Sequence, residues 1–349
     1  MVLKQISLIT QYLIKFHKKK NIDLELDKIH FKIDPKKFDL FLETKNPKIN
    51  YRGIFIPVKN AKVYINFISL LKSEVKIKKI SLTFEELDVK RLSKYSLVLK
   101  PSNFKNLLSN RIKKGKLASE IDIFLNEDNL LQNFIAKGKI KNLEAEIFSN
   151  LYLSKTNLSF FADKNDILFK NIFGELEGIK ISDGDIKLNL ENGLKVKSNF
   201  ISKLSLRDNF LERYKEILRK INFFQKVSNL EANFNNNFFI DFDNTLKIKD
   251  YSYSFQGKIN KTNLEIDNLF FSRFMTEEIN NIYFSDLDIK ASFSPKKLNF
   301  KSNGKYSFND SDFFKINFSN NINKNLQNLD LNLDYNKSFK IDFLNYQNL

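Results

Sequence analysis

Residues 62–92 read KVYINFISLLKSEVKIKKISLTFEELDVKRL. Apolar side chains fall on alternate positions: Val63, Ile65 and Phe67, then Val75 and Ile77, then Ile80, Leu82 and Phe84. Lys, Asn, Ser, Thr and Glu stand between them. Successive side chains of a strand point to opposite faces, so a period of two describes extended chain with one apolar and one polar face.

The same period runs outward in both directions. Leu24 and Leu26 alternate, then Ile29, Phe31 and Ile33, then Phe38, Leu40 and Leu42 before Asn46-Pro47, then Ile54 and Ile56. Beyond a break at 100–118 it resumes with Ile121, Ile123 and Leu125, and continues through 134–140, 143–147 and 151–160. In DIKLNLENGLKVKS (185–198), Ile186, Leu188 and Leu190 lead into Asn192-Gly193, and Leu194 and Val196 lead out. Asn-Gly between alternating arms predicts a type I′ hairpin, because both residues accept positive φ. Further alternations cover 229–234, 238–242, 246–259, 282–293, 298–308, 313–318 and 329–343. Connections as short as Asp243-Asn244 or 309–312 imply antiparallel neighbours. The chain is expected to be mainly β, with about twenty strands of ordinary length.

Helical spacing is confined to a few places. It predicts an amphipathic helix at the N-terminus (1–22), helical insertions near 101–113 and 208–222, and a weaker one at 267–280. Short amphipathic helices between strands serve as covers for sheet edges. The remainder, 23–349, reads as one continuous β region.

Composition limits the chemistry. The 349 residues include 36 Phe and 12 Tyr, enough for a core, and only 9 Gly and 5 Pro. Turns therefore fall to Asn, Asp and Ser. The absence of Cys excludes disulfides, thiolate nucleophiles and Cys-based zinc sites. A net charge of +17 invites nucleic acid or an anionic membrane as partner. The basic residues, however, are spread along polar faces; Lys18 to Lys20 and the group Lys113, Lys114 and Lys116 are the exceptions. Lys, Asn, Ile and Phe also share AT-rich codons. A single-strand binder needs aromatics on its basic face, whereas Phe here keeps phase with Ile and Leu. No nucleic-acid partner is expected. No segment reaches the ~18 apolar residues of a membrane-spanning helix, and residues 1–16 lack the unbroken apolar centre of a secretory signal.

His17 and His30 are the two histidines, and their positions favour ordinary surface roles. FADKND (161–166) and SDGD (182–185) do not fit a calcium loop and read as turns. Neither a nucleophile motif nor a phosphate loop is present. The residues argue against an enzyme, and no cofactor or metal is expected.

Residues 24–92, LELDKIHFKIDPKKFDLFLETKNPKINYRGIFIPVKNAKVYINFISLLKSEVKIKKISLTFEELDVKRL, give a strand pair, an Asn-Pro turn and a short strand. A strand ending in Ser69-Leu70-Leu71, a VKIKKISL strand and a Leu-rich segment follow. This order resembles the AsmA-like superfamily of Gram-negative envelope proteins, the AsmA, TamB and YhdP type. The resemblance implies a long, twisted antiparallel sheet curved into an elongated apolar groove that carries phospholipid or another diacyl lipid toward the outer membrane. It also implies a periplasmic location associated with the inner membrane, and partners at the membrane surface and among envelope proteins. Residues 1–20 lack the family's membrane-spanning tether, which points to a truncated or split member. The groove would be lined by Val63, Ile65, Phe67, Val75, Ile77, Leu82, Phe84, Ile123, Ile186, Leu188, Leu190, Leu194 and Val196. A non-enzymatic envelope scaffold or assembly factor, with the same sheet closed on its own side chains, is the alternative. A third reading, an outer-membrane β-barrel, is disfavoured by the scarce glycine and long basic loops.

Overall fold

Alternating sequence becomes strand throughout. The computed structural model describes residues 22–26, 28–34, 39–51, 53–66, 69, 76–91, 110–128, 130–148, 151–206, 227–265, 279–324, 326–336, 339–341 and 346–348. Among the described residues the protein is mainly β, 80% strand and 3% helix, and its sheet is antiparallel and open. The helices expected at 1–22 and 208–222, residues 101–109 of the third and nearly all of 267–280 lie outside the described residues. So do His17, Phe67 and Val75. Contacts divide the chain into two units, one of Met1–Glu177 with Lys187–Leu194, the other of Gly178–Ile186 with Lys195–Leu349.

The first unit begins with β1 (Ile22–Glu25), β2 (Ile29–Asp34), β3 (Asp39–Lys45), β4 (Lys48–Tyr51), β5 (Ile54–Ile65) and β6 (Ile77–Phe84). It continues with β7 (Leu87–Asp88), β8 (Ile112–Leu125), β9 (Leu131–Phe148), β10 (Leu151–Ala162) and β11 (Asp166–Leu176). β2, β3, β5, β6, β8, β9, β10 and β11 pair in that order. β4 pairs with the start of β5, Ile54–Pro57, and β1 pairs with β4.

Asn46-Pro47 does not turn the chain, contrary to the sequence reading. Lys45 pairs with Asn60 and Lys48 with Pro57, so β3 and β4 lie end to end along β5. Asn46 absorbs the kink in left-handed backbone (φ 47°), and its N–H donates to the Lys59 carbonyl at 2.9 Å. The reversal comes at Gly53 (φ 79°), between the paired residues Tyr51 and Ile54.

Strands β8 to β11 exceed ordinary length: β8 has 14 residues, β9 18, β10 12 and β11 11. Segments 134–140 and 143–147 are one strand, because Asn142 enters a bulge (φ 49°) rather than a turn. Bulges align across four strands, at Gly115 on β8 (φ 150°), Asn142 on β9, Lys155 on β10 (φ 49°) and Asn171 on β11 (φ 53°). A bulge bends its strand and increases the local twist, and four in line do so along a seam. Side chains are small there: Thr156 is fully buried, and a Cβ on Gly174 would lie 2.1 Å from Thr156 Oγ1. The end of the helix expected at 101–113 is overridden by this sheet. Ile112 pairs with Ala145, and the Arg111 guanidinium reaches Glu146 at 3.0 Å.

β12 (Ile179–Asn189) and β13 (Leu194–Leu206) flank Asn192-Gly193. Only Gly193 takes positive φ (99°), so the connection is a four-residue loop, not the expected two-residue type I′ turn. SDGD lies within β12, where Asp183 takes left-handed backbone (φ 50°) inside the strand instead of making a turn. FADKND does turn: Asp163 Oδ1 accepts from the N–H groups of Asn165 and Asp166 at 2.9 and 2.8 Å.

The second unit holds β14 (Val227–Phe242), β15 (Ile248–Glu265), β16 (Asn281–Ser294), β17 (Lys297–Ser307), β18 (Phe314–Asn323) and β19 (Leu326–Leu333). They pair in chain order. β20 (Phe339–Ile341) and β21 (Tyr346–Asn348) form a separate hairpin. Aspartates close the loops as expected, Asp243 Oδ1 capping the N–H groups of Thr245 and Lys247.

Candidate functional site

Residues directly opposite across antiparallel strands share a face, so register converts the alternating sequence into rows. In the first unit one row runs Ile29, Thr44, Ala61, Leu82, Ile121, Ala136, Ala162, Ile167 across eight strands, β2 to β11. The adjacent row runs Phe31, Leu42, Val63, Ile80, Ile123, Phe134 across six. A third joins Ile33, Leu40, Ile65 and Ile77. Apart from Thr44, these rows are wholly apolar.

Burial is uneven along this face. Ile65, 3% exposed, packs with Leu40 and Leu42, and Ile77, opposite it across the strands, is 6% exposed. Val63, Ile80, Leu82, Phe84, Ile121, Ile123 and Phe134 are half-buried. Of the other expected groove residues, Leu188 is buried, whereas Ile186, Leu190, Leu194 and Val196 are half-buried. Ile186 and Val196 belong to the second unit, and Leu188, Leu190 and Leu194 to the first.

The opposite face is held by charge. Glu43 is 6% exposed, and its carboxylate accepts from Lys32 Nζ and from Asn60 Nδ2 (2.9 Å), with Lys62 Nζ at 3.6 Å. The Lys32 and Asn60 hydrogen bonds outweigh the cost of burial and hold its pKa at about 2. Ser81 Oγ donates to Asp122, Lys79 Nζ lies 3.5 Å from the same carboxylate, and Glu120 pairs with Lys137 at 3.2 Å. Lys62 and Lys79 cap the rings of Phe41 and Tyr64. His30 is exposed on this face, opposite Glu43. The basic group after residue 112 is spread rather than clustered: Lys113 lies 4.1 Å from the Tyr152 ring centroid, Lys114 meets Glu144 and Lys116 meets Glu86. Apolar residues also reach this face, since Ile135 (43% exposed) opposes Asp122 and Phe161 (48%) opposes Lys137.

The second unit has a richer apolar face than the sequence reading marked. Phe234, Phe255, Tyr253, Phe293 and Phe238 form a chain of ring contacts, with centroids 5.1–6.4 Å apart. Buried among them, Asn236 (4% exposed) donates to Ser202 Oγ (3.0 Å) and accepts from the Tyr253 hydroxyl (2.8 Å). Burial raises the Tyr253 pKa. The alternating Phe and Tyr residues signalled the face, but pairing them required the register.

Among the described residues there is no cluster of three or more His, Asp or Glu able to hold a metal, and no helix long and apolar enough to cross a membrane. Comparison with protein-family models, curated proteins and solved structures finds no match.

Proposed function

We propose that the protein is a non-enzymatic, AsmA-like lipid-carrying module of the cell envelope, whose apolar sheet face receives the acyl chains of phospholipid or another diacyl lipid. The supporting observation is the row from Ile29 to Ile167, which is uninterrupted by charge and half-buried over most of its length. Eight strands at ~4.8 Å spacing span about 34 Å along the face, comparable to the ~30 Å hydrocarbon core of a bilayer. Each buried methylene is worth about 0.8 kcal/mol, so a sixteen-carbon chain gains on the order of 13 kcal/mol on such a surface. Selectivity between headgroups is not needed for that term. The proposed setting is the periplasm next to the inner membrane, where the lipid passes between membranes.

One observation favours the alternative, a scaffold or assembly factor closed on its own side chains: Leu40, Leu42, Ile65 and Ile77 are already buried without lipid. Gentle purification, organic extraction and mass spectrometry separate the two. Stoichiometric diacyl lipid supports the carrier. Its absence from protein that circular dichroism shows to be folded and β-rich favours the scaffold.

A further inference from the structure

The polar face of the second unit places Asn235, Gln256, Lys290, Lys301, Ser319 and Asp330 in one cross-strand row from β14 to β19. The next row carries Asn303, Asn317 and Asn332. All nine line an open concavity of about 700 Å³. At its centre Lys290 and Lys301 stand directly opposite each other, an arrangement unfavourable to a sheet. Neither ammonium has an ion pair or hydrogen bond among the described residues. The third lysine of the concavity, Lys258, is already held by Asp286 at 2.7 Å, and Asp288 opposes it. Asp330 lies two strands from Lys301, on the order of 10 Å away at sheet spacing.

We propose that this concavity binds a phosphate group on a small hydroxylated carrier. A phosphate monoester brings close to two negative charges and three acceptor oxygens, and the phosphodiester of a lipid headgroup one charge and two non-bridging oxygens; either can bridge both ammoniums and relieve their repulsion. Lysine suits this task as a compact point charge. Gln256, Asn303 and Asn317 surround the pair with amides that both donate and accept, the complement of neighbouring hydroxyls. The carrier is either a free polyol phosphate or a glycerophosphate headgroup on a lipid. The site lies on the face of the second unit opposite its chain of aromatic rings, and does not depend on the lipid-carrying reading.

The test uses the full chain at low ionic strength. Glycerol 1-phosphate is titrated calorimetrically into the wild type, into a Lys290→Gln/Lys301→Gln variant, and into a Lys305→Gln/Lys315→Gln control. Lys305 and Lys315 are also directly opposed but lie outside the concavity. Flotation with phosphatidylglycerol vesicles, against phosphatidylcholine vesicles, runs in parallel. Losing a charge-assisted contact should weaken binding about tenfold or more in the first variant, with the control unchanged. Binding of the soluble probe assigns the free anion; binding confined to phosphatidylglycerol and lost in the first variant assigns the headgroup. Removing opposed like charges should leave the melting temperature level or higher, so a misfolded variant is not the expected confounder; Lys290→Arg/Lys301→Arg, which keeps the charge, should retain binding. The proposal is overturned if neither probe binds the wild type, if the first variant binds as well as wild type, or if the two glutamine variants lose binding equally.

Discussion

Glu43 permits a quantitative prediction. Its carboxylate is buried between three strands, hydrogen-bonded by Lys32 on β2 and Asn60 on β5, with Lys62 nearby. Its pKa is held at about 2, against 4.5 in the absence of these contacts. One pKa unit corresponds to 1.36 kcal/mol, so ionised Glu43 contributes about 3 kcal/mol to folding. Because Lys32 is half exposed, solvent screening brings the expected figure to about 2–3 kcal/mol. The folded pKa is depressed, so the contribution is fully present above pH ~4.5 and is lost as pH falls toward 2. Other carboxylates titrate in the same range, which makes the comparison with Glu43→Gln the informative one. At pH 6 the variant should be less stable in urea, and the gap should close progressively between pH 4.5 and pH 2. A carboxyl carbon resonance for Glu43 that moves with a midpoint near 2 would confirm the assignment. A midpoint near 4, or a gap independent of pH, would refute the reasoning.

Further perturbations address the two faces. Gly138→Ala places a Cβ 2.3 Å from the Ala118 carbonyl and 2.7 Å from the Phe160 ring, so thermal melting should show a loss of roughly 1–3 kcal/mol. Tyr253→Phe should cost about 1 kcal/mol, and Asn236→Ala more, about 2–3 kcal/mol, because it strands the Tyr253 and Ser202 hydroxyls. Ile77→Asp buries an unpaired charge and should unfold the first unit, whereas Ile123→Asp, half-buried, should keep the fold and lose bound lipid. Lipid content and melting measured together on both variants check this: lipid retained by folded Ile123→Asp protein argues against the carrier reading.

Much of the fold was legible because a period of two leaves little freedom. The alternation in 62–84 and 185–198 named the strands and their apolar faces. It failed where apolar residues are adjacent: Phe160 and Phe161 take opposite faces, and nothing local says which is inside. Left-handed residues were hidden for a different reason. Asn142, Asn171 and Asp183 look like turn residues, and Lys155 carries no signal, yet all four hold left-handed backbone inside strands. Strand lengths were underread accordingly. The buried carboxylate of Glu43 could not be read at all, since its partners come from two neighbouring strands and only register unites them. Lys290 and Lys301 were closer to legible, as the Pro295-Lys296 turn fixes their pairing once β16 and β17 are known to be a hairpin.

Register on the polar face has a consequence for the apolar one. A one-residue slip between strands exchanges every side chain's face. Contacts among apolar residues resist such a slip only through burial, and most of the long row is half-buried. The charged face is more discriminating: slipping β5 against β3 separates Lys62 and Asn60 from Glu43, and slipping β6 against β8 separates Ser81 and Lys79 from Asp122. Slipping β8 against β9 parts Glu120 from Lys137. Individually, exposed pairs of this kind are worth little; the buried Glu43 node is the exception. Because specificity resides on the polar side, the other face can be chemically uniform from strand to strand. A surface meant to hold a sliding acyl chain needs that uniformity, whereas a closed core gains from differently shaped side chains that interlock.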